Sequence, residues 1–184
     1  MPKDNRTVYL TFDDGPIPEL TPWVLKTLKE FSATATFFCV GENVRKYPDV
    51  FKTLIDSGHT IGNHTMHHLN GWKTSNDIYY SDINECSQFV HSKLFRPPYG
   101  KIGPSQLRHL KKEYRIIMWD VLSKDYDVSL TGEQCLENVK KNVRNGSIIV
   151  FHDSLKAEKR LRYVLPATLK YLSGLDYTFE SIKF

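Results

Sequence analysis

Segments rich in β-forming residues alternate along this chain with segments whose apolar residues recur at helical spacing. The stretch TVYLTF at 7–12, for example, is followed by Val24, Leu25, Leu28 and Phe31, which share one helical face. Parallel strands joined by helical crossovers produce such an alternation, so the sequence predicts an α/β fold with a parallel sheet. There are about seven predicted strands, at 7–12, 35–40, 60–63, 94–95, 115–119, 147–151 and 177–182.

Capping residues mark the ends of several predicted helices. Thr21 followed by Pro22 is typical of an N-cap with proline in the first turn, and Thr131 with Gln134 forms a capping-box pattern. Six helices are predicted. One starts at Thr21, one covers 48–57 with Gly58 just beyond its end, one starts at Ser75, one covers 105–110, one runs from Thr131 to Gly146 and one covers 160–172.

The composition is that of one globular domain. The 184 residues are 40% hydrophobic and 25% charged, and a chain of this length buries about 70% of its unfolded surface. Lys and Arg number 25 against 21 Asp and Glu, and the resulting net charge of +4 is too small to indicate nucleic-acid binding. Neither a membrane-spanning apolar stretch nor the apolar region of a secretory signal is present. We expect a single monomeric domain over 1–184 with no nucleic-acid partner and no membrane span.

The three cysteines match no recognised framework. Cys39, Cys86 and Cys135 are odd in number and far apart, so neither a CxxC metal pair nor a set of disulfides describes them. Cys39 lies in the apolar run TFFCV, and we expect it to pack as a small buried hydrophobe.

Polar clusters interrupt this pattern immediately after predicted strands. In parallel α/β folds the loops that follow the strands meet at one edge of the sheet, where ligands bind. We therefore expect the clusters to converge on one site. They are Asp13-Asp14, the run 64–68 (HTMHH), the run 96–99 (RPPY), the acidic stretch 120–127 and His152-Asp153.

The first two clusters offer ligands for a metal. Adjacent carboxylates such as Asp13 and Asp14 repel each other unless a cation or an arginine holds them, although the DGP sequence also fits an ordinary turn. His64 and His68 are four residues apart, so both imidazoles can reach one divalent metal, the alternative being surface histidines. Two histidines with one carboxylate suit Zn²⁺ with an open position for water, or non-haem Fe(II). His67 is a second choice of ligand.

The later clusters offer charge pairs. Arg96 can pair with a carboxylate on the same edge and keep it ionised, or it can be a surface arginine in a stiff turn. His152 emerges from a buried strand and can be a satisfied core residue. Asp125 on a neighbouring loop can instead raise the pKa of His152 and make it a proton donor.

Five motifs in this order and spacing resemble those of polysaccharide deacetylases, the carbohydrate esterase family 4 with the NodB-homology domain. They are TFDDGP, HTMHH, RPPYG, WDVLSKDYD and IIVFHD, and together they span 8–153. The resemblance implies a distorted (β/α)7 barrel, similar to a TIM barrel, in agreement with the count of strands.

The resemblance also implies a divalent metal and a base. Asp14, His64 and His68 match the family's metal ligands, which hold Zn²⁺ or, alternatively, Co²⁺, Ni²⁺ or Mn²⁺. Asp13 matches the general base that deprotonates a metal-bound water, and Arg96 matches the arginine that orients this base.

Three further positions match the family's remaining catalytic groups. Tyr99 matches the residue whose backbone N–H helps to hold the oxyanion. His152 matches the general acid, and Asp125 matches the carboxylate that tunes it.

Three positions depart from the family's usual motifs. Leu122 stands where the fourth motif often has an aspartate, Tyr126 where it has tryptophan, and Val150 where leucine often precedes the catalytic histidine. In the family these positions line the acetyl pocket or support it. We therefore expect Tyr126, Val150 and Tyr99 to contact the substrate, with an effect of the departures on acyl size and rate.

Aromatic residues are candidate platforms for a sugar ring. The candidates are Trp72, Tyr79, Tyr80 and Trp119. Because Trp119 falls inside a predicted strand, a core position is its alternative. Trp72, in the loop NGWKTSN, is the better surface candidate and is predicted to bind substrate.

The sequence as a whole predicts a metal-dependent hydrolase that removes N-acetyl groups from N-acetylglucosamine-containing glycans of the chitooligosaccharide or peptidoglycan type. One alternative is the same chemistry on a small amide or formamido sugar. A non-haem Fe(II) oxygenase would explain neither Asp13 nor His152, and a non-catalytic glycan-binding module would be expected to lose a ligand or the base. The resemblance implies the cell envelope or secretion if a leader is missing from this chain, and the cytoplasm otherwise.

Overall fold

Eight parallel strands form one curled sheet, a half-barrel accompanied by helices. The computed structural model describes residues 6–183. The predicted α/β class and barrel-like arrangement are confirmed. The strands are β1 (Arg6–Asp13), β2 (Thr36–Cys39), β3 (Thr60–Asn63), β4 (Leu94–Phe95), β5 (Arg115–Ile116), β6 (Val121–Leu122), β7 (Ile148–His152) and β8 (Tyr177–Glu180).

Helices connect most successive strands and complete the predicted alternation. Two single turns of 3-10 helix, Gly71–Lys73 and Pro98–Gly100, lie in the loops after β3 and β4. The α-helices are α1 (Leu20–Glu30), α2 (Gly41–Lys46), α3 (Pro48–Asp56), α4 (Asn76–Ser87), α5 (Pro104–Leu110), α6 (Gly132–Asn142) and α7 (Glu158–Ser173). No helix within residues 6–183 is both long and apolar enough to cross a bilayer.

The strand order places β1 in the middle of the sheet. The order is β5-β4-β3-β2-β1-β7-β6, and β8 pairs with the first half of β1. Asp13 at the end of β1 lies opposite His152 at the end of β7. The edge strands β5 and β6 are joined by only the four residues 117–120. Because so short a segment spans about 15 Å at most, the two edges of the sheet have to approach each other.

The core is built from the largely buried strands at the centre of the sheet. Phe12 of β1 stacks on Phe37 of β2 and on Phe151 of β7, with ring centroids 4.8 Å and 5.7 Å apart. These aromatic rings bury large areas and fix the spacing of β2, β1 and β7, the last two of which carry the first and last polar clusters. Cys39 packs in this core as predicted, and Cys86 and Cys135 are also buried free thiols.

The predicted strand 115–119 is wrong beyond Ile116. The carbonyl groups of Ile117 and Met118 accept hydrogen bonds from the Arg96 guanidinium, so the chain turns away from the sheet. It returns as β6, which pairs with β7 and was not predicted. This extra strand accounts for eight strands where about seven were predicted.

Local capping patterns predicted some helix ends and missed others. The capping box of Thr131 and Gln134 is present, but α6 ends at Asn142 rather than at Gly146. The helix α1 starts at Leu20, and Thr21 is not its N-cap, because the Thr21 hydroxyl donates to Asp153 instead. Ser75 precedes α4 without a capping hydrogen bond from its side chain.

Candidate active site

A cavity of about 430 Å³ opens where the strands end. The strand-end clusters predicted to converge meet here, since each contributes at least one side chain to the wall. Lining residues are Asp13, Asp14, His64, His68, Tyr99, Trp119, Leu122, Tyr126, Val150, His152, Ser154 and Lys156.

Asp14, His64 and His68 form a group with the geometry of a metal site. One ligand atom from each lies within 4.8 Å of the others. Asp14 Oδ1 is 3.8 Å from His64 Nε2 and 3.1 Å from His68 Nε2. Among residues 6–183, this is the group of histidine, cysteine and acidic side chains close enough to share an ion.

Hydrogen bonds leave the Nε2 atoms of the two histidines available. His64 Nδ1 lies 2.7 Å from the carbonyl oxygen of Arg96, which accepts its proton, so Nε2 keeps its lone pair. Burial lowers the pKa of His64 to about 4, and the ring is therefore neutral at pH 7. His68 Nδ1 lies 3.1 Å from the hydroxyl of Tyr99. Both rings thus present a nitrogen to the same point.

The carboxylate of Asp14 fits a cation. Its Oδ1 atom is buried and makes no hydrogen bond, which is costly for a charged oxygen unless a positive charge is nearby. Burial would raise the pKa of Asp14, but the imidazoles of His68, His152 and His64 outweigh it and hold the pKa below its ordinary value. A buried carboxylate beside two imidazole nitrogens is the donor set of a divalent metal site.

Arg96 holds the carboxylate of Asp13 through a hydrogen bond. Arg96 Nη1 donates to Asp13 Oδ1 and to the hydroxyl of Thr11, both at 2.7 Å. The guanidinium is fully buried and lies 4.1 Å from the ring centroid of Phe38. Burial lowers the pKa of Arg96, and Asp13 opposes that shift. No described residue donates to the other oxygen of Asp13, which leaves it available to the cavity.

His152 and Asp125 form a second charge pair on the far wall. The two side chains meet through His152 Nδ1 and Asp125 Oδ1 at 2.7 Å, and the His152 backbone N–H donates to Asp125 Oδ2 at 2.8 Å. Burial would lower the pKa of His152, but Asp125 outweighs it and raises the pKa to about 9. Arg160 in turn donates to the backbone carbonyl of Asp125. The imidazole is therefore charged at pH 7, with Nε2 as its unpaired nitrogen.

The positions that depart from the usual motifs lie together in the cavity wall. Leu122, Tyr126 and Val150 all line it. The Tyr126 ring meets His152 edge-on, with centroids 5.0 Å apart. Tyr99 adopts a left-handed backbone with φ of 59°, and its N–H donates no hydrogen bond to any described residue.

The candidate aromatic platforms separate into three groups. Trp119 lines the cavity and is half-buried, so it stays a candidate platform and its alternative, a core position, is wrong. Trp72 is 65% exposed but lies outside the cavity lining, with its Nε1 donating to the Ile102 carbonyl and Lys101 4.0 Å above its ring. Tyr79 is fully buried, and Tyr80 stacks on His109 away from the site, so neither is a platform.

Sequence reasoning missed several residues that shape the site. Ser154 and Lys156 line the cavity, and their position directly after the strand-end His152-Asp153 pair was the available signal. Asp153 accepts hydrogen bonds from the backbone of Gly15 and the hydroxyl of Thr21, and so fixes the turn after β1. His67 lies outside the metal group, because its Nδ1 is bonded to Asp82.

Known proteins resemble this chain over nearly its whole length. The family model for polysaccharide deacetylase matches residues 1–115. A peptidoglycan-N-acetylglucosamine deacetylase of Bacillus cereus is 32% identical over 99% of this chain and 89% of its own length. A chitooligosaccharide deacetylase of Azorhizobium caulinodans is also 32% identical, over 90% of this chain and 89% of its own length.

Solved structures agree with these sequence relatives. A peptidoglycan N-acetylglucosamine deacetylase, Bc1960, superposes with a TM-score of 0.91 at 32% identity, covering 98% of this chain and 88% of its own. A family 4 carbohydrate esterase from Streptomyces lividans gives a TM-score of 0.86 at 27% identity, covering 97% of this chain and 94% of its own.

Proposed function

This chain belongs to the polysaccharide deacetylase family, and from that membership we propose that it removes N-acetyl groups from N-acetylglucosamine units of a peptidoglycan or chitooligosaccharide glycan. The observation that carries the proposal is the meeting of three groups at one cavity. These are the cluster of Asp14 with two histidines, the Asp13–Arg96 pair and the His152–Asp125 pair.

The family is metal-dependent, and Asp14, His64 and His68 would hold the ion. Two imidazoles and one carboxylate suit Zn²⁺, which the family resemblance favours, with Co²⁺, Ni²⁺ or Mn²⁺ as alternatives. When bound, such an ion supplies Lewis acidity, which lowers the pKa of water toward ~7 and polarises an acyl oxygen.

Asp13 is the proposed general base. Hydrolysis of an amide needs a group that accepts a proton from the attacking water. The hydrogen bond from Arg96 to Oδ1 fixes the orientation of Asp13, while Oδ2 remains to take the proton.

His152 is the proposed general acid. An amine leaves readily only if it is protonated, and His152 carries a proton at neutral pH because Asp125 raises its pKa. Since Nδ1 is engaged by Asp125, Nε2 is the atom that donates the proton to the departing nitrogen.

The acetyl group is proposed to lie between Tyr99 and the apolar wall. The free backbone N–H of Tyr99 can donate to the developing oxyanion, and a donor of this kind contributes about 3–4 kcal/mol to catalysis. Leu122, Tyr126 and Val150 give that wall its apolar character, which suits a methyl group. Trp72 is proposed to stack on a sugar beyond the cavity, on the ring face not covered by Lys101.

The domain composition, oligomeric state and location of the protein are also proposals. Residues 1–184 form one NodB-homology domain, which acts as a monomer on a glycan of the cell envelope. Support comes from the relatives named for peptidoglycan, whose similarity covers 99% and 98% of this chain.

The test is acetate release from N-acetylglucosamine oligomers and from peptidoglycan. The protein is stripped with a chelator and then given Zn²⁺ or Co²⁺. We expect no acetate from the stripped protein and restored release with metal. Metal bound at one per chain without release from either glycan would reject the glycan substrate, and small amides and formamido sugars would then be assayed.

A further inference from the structure

The loop that carries both histidine ligands has no helix or strand to define its shape. It covers residues 64–68 directly after β3. Thr65 and His68 have positive φ angles of 64° and 55°, a conformation that residues other than glycine adopt rarely. Contacts from outside the loop therefore have to keep it in this form.

A buried carboxylate on α4 contacts the middle of this loop. Asp82 Oδ2 accepts hydrogen bonds from the backbone N–H groups of Met66, at 2.8 Å, and His67, at 3.1 Å. Asp82 Oδ1 lies 2.6 Å from His67 Nδ1, which donates to it. Only 7% of Asp82 is exposed. One side chain thus contacts two of the three residues between the ligands.

Other contacts fix the backbone of Thr65 and Met66. Asn63 Oδ1 accepts from the Thr65 backbone N–H at 2.8 Å. The carbonyls of Thr65 and Met66 accept from the N–H groups of Gly41 and Glu42, each at 3.0 Å. Among the described residues, Asp82 is the side chain that binds the N–H groups of the Met66–His67 segment.

We propose that Asp82 is a positioning residue for the metal centre, which holds residues 64–68 in the form that binds metal before the ion arrives. The inference rests on the proposed function, because it needs His64 and His68 to be ligands. Asp82 does not itself contact the cavity. Its effect is preorganisation: a loop free to leave this conformation has to be reordered when metal binds, and affinity falls accordingly.

The test compares Asp82→Asn with wild-type protein. The substitution keeps the shape but replaces one acceptor oxygen with an NH2 group, so the side chain can no longer accept hydrogen bonds from both backbone N–H groups of the loop and from His67 Nδ1 as well. We expect the Kd for Zn²⁺, measured on stripped protein against a chromophoric chelator, to rise by about 10- to 100-fold. We also expect kcat at saturating Zn²⁺ to stay close to the wild-type value. Asp77→Asn, at an exposed position on the same helix, is the matched control and should leave the Kd unchanged.

Two results would overturn the proposal. One is a folded Asp82→Asn protein that binds Zn²⁺ as tightly as wild type. The other is a weaker Kd that recovers in high salt, because a screened charge rather than hydrogen bonding would then explain the loss.

If Asp82→Asn does not fold, His67→Ala removes one of the three hydrogen bonds at a partly exposed side chain. We expect a severalfold rise in Kd for His67→Ala, and an unchanged Kd there would also overturn the proposal. Wild-type protein that binds no Zn²⁺ would instead reject the metal centre itself.

Discussion

Arg96 and Asp13 form a buried ion pair at 2.7 Å, with side chains 0% and 6% exposed. The arginine also donates to Thr11 and to two carbonyls of the segment that joins the edges of the sheet. One side chain therefore both orients the proposed base and secures the approach of the two edges. The stability of the fold and the proposed catalysis therefore share one contact.

Removal of this arginine should destabilise the fold. Arg96→Ala leaves Asp13 as an uncompensated buried charge, and the loss of one partner of such a pair costs about 3–5 kcal/mol. We expect a loss of this size in the free energy of unfolding, measured with denaturant. Arg108→Ala, at an exposed position, is the control. Equal stability of the two variants would contradict the structural role of Arg96.

Asp13→Asn should separate catalysis from metal binding. The amide cannot accept the proton, but the three ligand side chains remain. We expect kcat to fall by about 10²–10⁴-fold while metal analysis still gives close to one ion per chain. Wild-type turnover in this variant would remove Asp13 from the mechanism.

His64→Ala should lose stoichiometric metal. His64 presents Nε2 toward Asp14, and two remaining ligands form an incomplete site. His91→Ala removes an exposed histidine and should retain the metal. The measurement is metal content after dialysis, and full occupancy in His64→Ala would refute its assignment as a ligand.

His152→Ala should lower kcat and leave metal content unchanged. The side chain lines the cavity but does not belong to the metal group, so its loss affects protonation of the leaving amine. An unchanged kcat would mean that the proton comes from another group.

The pH profile should depend on Asp125. A general acid works only while protonated, so kcat/KM falls as pH rises through the pKa of His152, which is about 9 in the metal-free protein. This fall is the basic limb of the profile. A divalent cation beside Asp14 disfavours the charged form of His152 and therefore places the basic limb at or below pH 9.

Asp125→Asn should then move the basic limb to lower pH. The substitution removes the charge that raises the pKa of His152. Asp127→Asn, on the same loop but bonded to Ser129, should leave the limb in place. Profiles recorded at saturating metal test this expectation, and identical basic limbs in wild type and Asp125→Asn would contradict it.

Local sequence signals predicted the fold where short-range chemistry determines structure. The strand Thr60–Asn63 has the predicted bounds, and the capping box at Thr131 lies within one turn of chain. Thr21 and the segment after Ile116 were predicted wrongly because distant partners decide them. Asp153 is 132 residues from Thr21, and Arg96 is 21 residues from Ile117.

The candidate site was predictable to the extent that its groups follow strands. Asp13, His64, Arg96 and His152 all stand at or just after a strand end, and parallel topology brings such positions together. Asp82 lies in the middle of a helix, where a carboxylate looks like an ordinary solvated residue. Only the packing of α4 against the loop after β3 shows that it is buried.

Asp13 and His152 are register partners on adjacent parallel strands, so their backbones lie one ladder step, about 4.8 Å, apart. No hinge or lid lies between the two groups proposed to transfer protons. Their backbone separation can change only if hydrogen bonds between β1 and β7 break, which involves a largely buried part of the sheet. We therefore expect that the loops proposed to contact the glycan can accumulate substitutions, and even insertions, without altering the backbone spacing of the proposed base and acid.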